Sequence, residues 1–267
     1  MAIMREVSAT SNGCELSFHA RQPIDVVKAI DQHKAYQNCL SDLDVRLRCL
    51  AAEHELPDAV FVEDAAVVVD EIAVMPVMGT PSRRLEVANV ANALAQHRPI
   101  TFLREPATLD GGDVLRIDRK IFVGLSQRTN PDGIAQLREV LGSFDYEIHN
   151  VAIKGCLHLK SACSYIGNDT LLINRSWMDA EQFHGFELLN VPHAEPAGAN
   201  ALLINDVVIM SDSFPKTRAL LQERGFQIRA IDLSELEKAE AGVTCCTVIF
   251  PSRESNSHSE SAIAKVL

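Results

Sequence analysis

The sequence predicts an α/β protein in which similar modules surround a central axis as a five-bladed α/β propeller. Two short apolar strands, a helix and a further strand recur along the chain, starting near residues 58, 109, 158, 199 and 243. The order of elements repeats although the residues do not match, which favours a radial arrangement over a doubly wound sheet. No linker-like stretch interrupts this order, so residues 1–267 are expected to form a single domain, with a frayed, serine-rich tail over about 251–267.

The elements of the first half follow from apolar spacing. A strand is expected at 3–9, and a helix at 23–54, because Pro23 can open it and apolar residues recur at steps of three and four. Residues 58–69 predict a strand, an acidic pair and a second strand. A helix is expected at about 83–96. Residues 109–115 and 120–125 predict two strands joined by a turn, and Pro131 opens a helix that continues to Leu141.

The second half continues the same order. His158 lies in the short apolar segment 156–163, which the strand 170–173 follows. Strands are expected at about 199–204, 207–210 and 227–231, with a helix at 215–224. The last strand, 243–250, is β-branched and apolar, and Cys245 and Cys246 lie at its head. Successive strand residues face opposite sides, so only one of these two thiols is expected to face the axis.

Composition excludes several classes of function. The net charge of −11 argues against nucleic acid or an anionic membrane surface as a partner, and it suits a small cationic substrate. No apolar run approaches the roughly 20 residues that cross a bilayer. The seven cysteines show no spacing typical of a metal site, and the N-terminus does not resemble an export signal. We therefore expect a cytoplasmic protein with reduced thiols, without metal or cofactor, and either monomeric or homodimeric.

Polar or reactive residues recur at one place in each module, the junction of its first two strands. In a radial fold these junctions meet at one end of the axis. The residues concerned are Asp58, Glu63 and Asp64; Asp110 and Asp113; His158; Asn200; and Cys245. Taken singly, His158 and Cys245 read more simply as core residues. A nucleophilic thiolate, however, needs a base and a carboxylate to orient that base, and the equivalent junctions supply both.

The charged residues predict a guanidino substrate. Carboxylates at 58, 63 and 64 match the two parallel hydrogen bonds of a planar guanidinium, although solvated surface charges would have the same sequence. Arg83 and Arg128 stand in loops that follow two of the junctions, and could bind a carboxylate or be solvent-exposed. Asp110 and Asp113 flank a double glycine. At least one of them is expected to stabilise the turn, and one could orient His158.

These motifs resemble the dimethylarginine dimethylaminohydrolase family of the guanidine-modifying amidinotransferase superfamily. The resemblance covers residues 56–64, 81–84, 107–115, 122–130, 157–161, 234–238 and 244–246, in matching order. It implies a five-bladed α/β propeller and hydrolysis of N-methylated arginines to citrulline and a methylamine through a covalent cysteine adduct.

The resemblance also implies a role for each matched position. Cys245 would be the nucleophile, His158 the general acid and base, and Asp110 the partner of the histidine. Substrate would be held by the remaining positions: Asp58, Glu63 and Asp64 at the guanidinium end, Arg83 and Arg128 at the α-carboxylate, a lid near Leu16, and the main chain near Ala239 at the α-amino group.

Two other functions remain open at this stage. An arginine deiminase or dihydrolase, or another guanidine hydrolase of the same superfamily, would use the same thiol on arginine, agmatine or another guanidine. A non-enzymatic propeller that binds a ligand would leave its thiols inert.

Overall fold

Five three-stranded β-sheets follow one another along the chain and form a closed ring. This computed structural model describes residues 1–252. In every sheet the middle strand pairs antiparallel with one neighbour and parallel with the other. The ring closes where the last strand pairs with the first, with Ala2 opposite Ile249 and Ile3 opposite Val248. The predicted five-bladed α/β propeller is confirmed.

The strands of the five modules are short. They are β1 (Ala2–Arg5), β2 (Leu47–Leu50), β3 (Val67–Val68), β4 (Ala73–Met75), β5 (Ile100–Phe102), β6 (Val114–Ile117), β7 (Lys120–Leu125), β8 (Glu147–Ala152), β9 (Cys163–Gly167), β10 (Thr170–Ile173), β11 (Glu187–Asn190), β12 (Ala201–Ile204), β13 (Val207–Ser211), β14 (Gln227–Ile231) and β15 (Val248–Ile249). The helices are α1 (Val26–Asp42), α2 (Glu86–Leu94), α3 (Pro131–Gly142), α4 (Leu159–Ala162), α5 (Pro215–Glu223) and α6 (Ser234–Glu237).

The strand nearest the axis is the first one of each module. A cavity of about 100 Å³ on the axis is lined by residues of β3, β6, β9, β12 and β15. The inner strands β3, β6 and β15 are buried throughout, whereas the outer strands β2, β8 and β14 alternate with exposed positions. Apolar side chains between neighbouring modules form the core, as where Phe122, Leu172 and Met210 share one cluster.

Local chemistry explains the turns and helix starts. Asn168 and Asp169 between β9 and β10, and Asn205 and Asp206 between β12 and β13, all have positive φ. Two consecutive left-handed residues suit a two-residue hairpin, and asparagine and aspartate tolerate that conformation. The Asn130 side chain accepts a 2.8 Å hydrogen bond from the Gly133 N–H and caps α3. These signals explain why the predictions for α3, α5, β7, β10 and β14 are close to the observed elements.

Several predicted elements are wrong. The helix expected at 23–54 ends at Asp42, and residues 47–50 form β2, whose apolar side chains had been counted as helical. Residues 59–62 are not a strand, and the strand expected at 243–250 is reduced to β15 behind a turn. In the fourth module no helix separates β10 from β11 within the described stretch 174–186. Most of the predicted tail, 253–267, lies outside the described residues.

None of the helices within residues 1–252 is long and apolar enough to cross a lipid bilayer. The compartment and the oligomeric state stay predictions.

Candidate active site

The candidate site lies at one end of the axis, where a short helical turn leads into the inner strand of each module. These turns are Val62–Ala65, Gly111–Asp113, α4 and residues 243–246. The predicted residues thus precede the inner strand rather than lying between two strands, which corrects the expectation. A turn aims its side chains in directions that the alternating pleat of a strand does not allow. Residues distant in sequence therefore converge there.

His158 is held between two carboxylates. Its Nε2 lies 3.1 Å from Asp110 Oδ2, and its Nδ1 lies 3.7 Å from Asp64 Oδ1. Burial lowers the pKa of His158, but Asp64, Asp110 and Asp113 outweigh burial and raise that pKa to about 9. The ring is therefore an imidazolium at neutral pH and can donate a proton. Asp110 takes the place that was predicted for the partner of the histidine.

Two glycines allow this close packing. A Cβ on Gly112 would lie 2.7 Å from both Asp64 Oδ1 and His158 Nδ1, and a Cβ on Gly79 would lie 2.3 Å from the carbonyl oxygen of Arg128. Both glycine N–H groups also donate to site carboxylates. Gly112 N–H donates to Asp64 Oδ1 at 3.0 Å, and Gly79 N–H donates to Asp110 Oδ1 at 2.9 Å. The backbone thus fixes both carboxylates beside the imidazole.

Asp113, at the other end of the double glycine, supports the structure. Its carboxylate accepts hydrogen bonds from Ser126 Oγ at 2.6 Å, Thr129 Oγ1 at 2.7 Å and the Leu159 N–H at 2.9 Å. The last bond fixes the start of α4, directly after His158. Of the two aspartates that flank the glycines, Asp113 thus stabilises the turn and Asp110 contacts the histidine.

Arg83 is buried and points inward to Asp64. Its Nη1 donates to Asp64 Oδ2 at 2.7 Å, while Nε and Nη2 bind the carboxylate of Glu86 at 2.8–3.2 Å. Nη2 also contacts the carbonyl oxygen of Phe61 at 3.2 Å. Burial raises the pKa of Asp64, but His158 and Arg83 outweigh burial and hold that pKa below its usual value. In this structure Arg83 therefore orients Asp64, and its predicted contact with a substrate carboxylate would require it to leave these partners.

Glu63 forms the floor of the site with partners that the sequence did not identify. Its Oε1 pairs with Lys160 Nζ at 2.6 Å, and its Oε2 accepts from Thr244 Oγ1 at 2.8 Å. The Asn200 side chain donates to Thr244 Oγ1 at 3.0 Å and accepts from the Thr244 N–H at 3.2 Å. Three modules and the turn before β15 are thereby joined. The position of Lys160, two residues after His158, was the only available signal.

Cys245 reaches the same acids. The Glu63 N–H donates to the carbonyl oxygen of Cys245 at 3.1 Å, and the Gly242 N–H donates to Cys245 Sγ at 3.3 Å. Burial, with the charges of Glu63 and Asp64, raises the pKa of the Cys245 thiol to about 12. The thiol is therefore protonated at neutral pH until some cation offsets those charges.

Cys246 differs from its neighbour. It is completely buried in an apolar cluster, and burial raises the pKa of its thiol well above the usual value. Cys245 is partly exposed and packs at the edge of that cluster. The two thiols face different surroundings as predicted, but a helical turn separates them, not the strand pleat.

Arg128 joins the site to the N-terminal segment. Its Nη1 lies 3.8 Å from Asp110 Oδ2 and has no hydrogen-bond partner although it is buried. Its Nη2 donates to Ser17 Oγ at 3.2 Å. A buried guanidinium nitrogen without a partner is uncommon, and it suits an acceptor that arrives with the substrate.

The segment 14–19, called the lid below, lies against the site. Asp58 is buried, and its two oxygens accept from the Glu15 N–H at 3.2 and 3.1 Å. Leu16 packs against the same apolar cluster as Cys245, and Ala239 belongs to that cluster. Burial raises the pKa of Asp58, against the opposing charge of Arg83. Asp58 thus holds the lid in this structure, and its predicted contact with the guanidinium stays a prediction.

The same cluster has the spacing of a metal site. Single ligand atoms of Asp64, Asp110 and His158 lie within 4.8 Å of one another. Arg83 and two glycine N–H groups already bind these carboxylates. The absence of metal and cofactor stays a prediction.

Comparison with known proteins agrees with this geometry. A sequence profile described as N,N dimethylarginine dimethylhydrolase, eukaryotic, matches residues 2–250. The chain is 35% identical over 230 residues to N(G),N(G)-dimethylarginine dimethylaminohydrolase of Streptomyces coelicolor, covering 85% of this chain and 88% of that one. It is 30% identical over 236 residues to the protein of the same name from Pseudomonas aeruginosa, covering 88% and 92%.

A solved structure shows the same fold. The cysteine-to-serine variant of the Pseudomonas aeruginosa protein, complexed with citrulline, superposes with a TM-score of 0.89 at 28% identity, covering 93% of this chain and 98% of that one. The profile match extends over nearly all the described residues, and the relatives are similar along most of their length. The chain therefore belongs to the dimethylarginine dimethylaminohydrolase family.

Proposed function

We propose that this protein hydrolyses N-methylated arginines to citrulline and a methylamine. The observation that carries the proposal is the Cys245 thiol, which lies beside the buried acids Glu63 and Asp64 and close to a histidine bound by Asp110. A thiol, a protonated imidazole and carboxylates together suit attack on a cationic carbon. Family membership adds the substrate class, because the relatives carry the name of this activity.

The cationic substrate activates the nucleophile. In the free protein the carboxylates of Glu63 and Asp64 disfavour a thiolate, since burial and their charges raise the pKa of Cys245 to about 12. A guanidinium bound next to them compensates these charges and adds its own attraction for a thiolate. The thiol pKa is then lowered only when substrate is present, so the free enzyme is protected from other electrophiles.

The two chemical steps balance around His158. The Cys245 thiolate attacks the guanidinium carbon, and the bond from that carbon to the methylated nitrogen breaks as His158 gives that nitrogen a proton. The methylamine leaves, and an S-alkylthiouronium remains on Cys245. The neutral imidazole then takes a proton from water, the resulting hydroxide adds to the same carbon, and the C–S bond breaks to release citrulline.

Arg128 is the first candidate to bind the α-carboxylate. Its buried Nη1 lacks a hydrogen-bond partner, whereas the donors of Arg83 are bound to Asp64 and Glu86. Leu16 on the lid and the main chain near Ala239 lie against the cluster that Cys245 borders, where they could enclose the amino-acid end of the substrate.

Side-by-side assays test the proposal. Parent protein, Cys245→Ser and Cys246→Ser are incubated with asymmetric dimethylarginine, monomethylarginine, arginine and agmatine, and ureido product is measured. We expect methylarginines to be the best substrates, Cys245→Ser to abolish turnover, and Cys246→Ser to retain most of it. Near-parental turnover by Cys245→Ser would disprove the assignment of the nucleophile. A clear preference for arginine would instead favour a deiminase or dihydrolase.

A second measurement identifies the intermediate. Mass spectrometry of acid-quenched protein should find the mass of an S-alkylthiouronium on the peptide that contains Cys245. The same mass on Cys246, or none with any guanidine that turns over, would contradict the covalent route.

A further inference from the structure

Glu240, which lies outside the proposed catalytic residues, binds three consecutive backbone N–H groups of the lid. The Ser17 N–H donates to both carboxylate oxygens, at 3.0 and 3.1 Å. The N–H groups of Phe18 and His19 donate to Oε1 at 2.5 and 2.6 Å. Successive N–H groups that converge on one anion form a favourable, charge-assisted contact.

The backbone of Glu240 is specialised for this contact. Its φ is +61°, a left-handed value that is unfavourable for glutamate and that persists only where the surroundings support it. Its N–H donates to the carbonyl oxygen of Glu237 at 3.0 Å, which ends the turn after α6. Glu240 also lies five residues before Cys245, and Gly242 between them donates its N–H to the thiol. One short segment therefore carries both the lid contact and the nucleophile.

The lid lies over space that substrate could enter. A cavity of about 310 Å³ is lined by Phe18 and His19 of the lid and by Glu240, Gly242 and Val243. The other lid contacts are to Asp58, Arg128 and Ser82, all on the opposite side of the site. Of these lid contacts, that of Glu240 alone ties the lid to the segment of the nucleophile.

We propose that Glu240 is a positioning residue that latches residues 17–19 closed over the site and thereby controls access to Cys245. The proposal rests on the proposed function only in placing the substrate beneath this lid. Glu237 provides a matched control, because its carboxylate borders the same cavity but binds the hydroxyls of Ser211 and Ser213 instead of the lid.

Alkylation by iodoacetamide, followed by peptide mass spectrometry, measures access without using the reaction. The rate at Cys245 is divided by the rate at Cys49, which is exposed and remote from the lid. We expect Glu240→Gln, which keeps the length of the side chain but removes its charge, to raise this ratio about tenfold, corresponding to about 1.4 kcal/mol of lid closure. Glu237→Gln should leave the ratio within about twofold.

Hydrogen exchange of residues 17–19 provides a second readout, since these amides are the donors to Glu240. They should exchange faster in Glu240→Gln but not in Glu237→Gln. Glu240→Asn separates the latch from backbone strain. Asparagine tolerates positive φ, so relief of strain would leave the lid protected, whereas loss of the latch would open it.

Kinetics link the latch to the substrate. With a methylarginine, Glu240→Gln should raise KM more than it lowers kcat, because the closed state is needed to retain substrate. An unchanged alkylation ratio and unchanged exchange in Glu240→Gln, or equal effects in Glu237→Gln, would overturn the latch. If no variant and no parent protein turns over methylarginine, the proposed function fails, while alkylation and exchange still decide on the latch.

Discussion

Replacing Glu63 by glutamine should make the resting thiol more reactive while it weakens catalysis. Burial, followed by the charges of Glu63 and Asp64, raises the pKa of Cys245 to about 12, and Lys160 opposes them. At pH 8 a thiol of that pKa is about 0.01% thiolate. Glu63→Gln removes the larger of the two negative contributions and leaves the ammonium of Lys160, which lies 2.6 Å from Glu63, without its counter-charge. Both changes favour the thiolate.

The expected magnitude follows from the thiolate fraction. Far below the pKa, each unit by which the pKa falls gives about ten times more thiolate, and alkylation follows that fraction. We expect about a tenfold faster reaction of Cys245 with iodoacetamide at pH 8, and a pH–rate profile that is displaced to lower pH. In contrast, kcat/KM for a methylarginine should fall, because a carboxylate that favours the substrate cation is lost.

Lys160→Met provides the opposite control. Removing the ammonium leaves the acids uncompensated, so alkylation of Cys245 should become slower than in the parent protein. Circular dichroism and thermal unfolding check that both variants fold, since each breaks a buried ion pair. Slower or unchanged alkylation in folded Glu63→Gln would refute the view that these acids suppress the thiolate.

Three further predictions concern other parts of the site. Gly112→Ala should lower kcat about a hundredfold, because a Cβ 2.7 Å from Asp64 and His158 must displace them, and a displacement near 1 Å has that order of effect; unchanged kcat with parental folding would contradict this. The pKa of His158 is raised to about 9, so protonation stabilises the fold fully below pH 6.5, and this contribution is lost as the pH rises towards 9. Urea unfolding should therefore show a larger gap between parent protein and His158→Asn at pH 6 than at pH 9.5; a constant gap would argue against the raised pKa. Arg128→Lys should raise KM about tenfold for methylarginine, because lysine lacks the planar fork, but not for a methylated agmatine without a carboxylate; equal losses for both would exclude carboxylate binding.

The sequence identified local structure wherever the local signal was strong. Pro131 and Asn130 mark the start of α3, and the β-branched and apolar residues of β7 and β13 give their strands. The signal failed where two elements shared a pattern. Apolar residues of α1 and β2 continue the same spacing across the turn at Leu43–Val45, where Asp44 has positive φ, so one long helix was predicted. The turn at 243–246 was missed since β-branched residues favour a strand until tertiary contacts intervene.

The sequence by itself determined the five-module order, the acidic balance and, through resemblance, the residues that carry the chemistry. Only the tertiary structure decided how those residues are used. Arg83 turns inward to Asp64, Glu63 is paired with Lys160, and Glu240 binds a lid more than 220 positions away. The reason is physical. Modules closed into a ring bring distant turns together, and buried charges then take whichever partners lie within hydrogen-bond reach, a choice that no local pattern encodes.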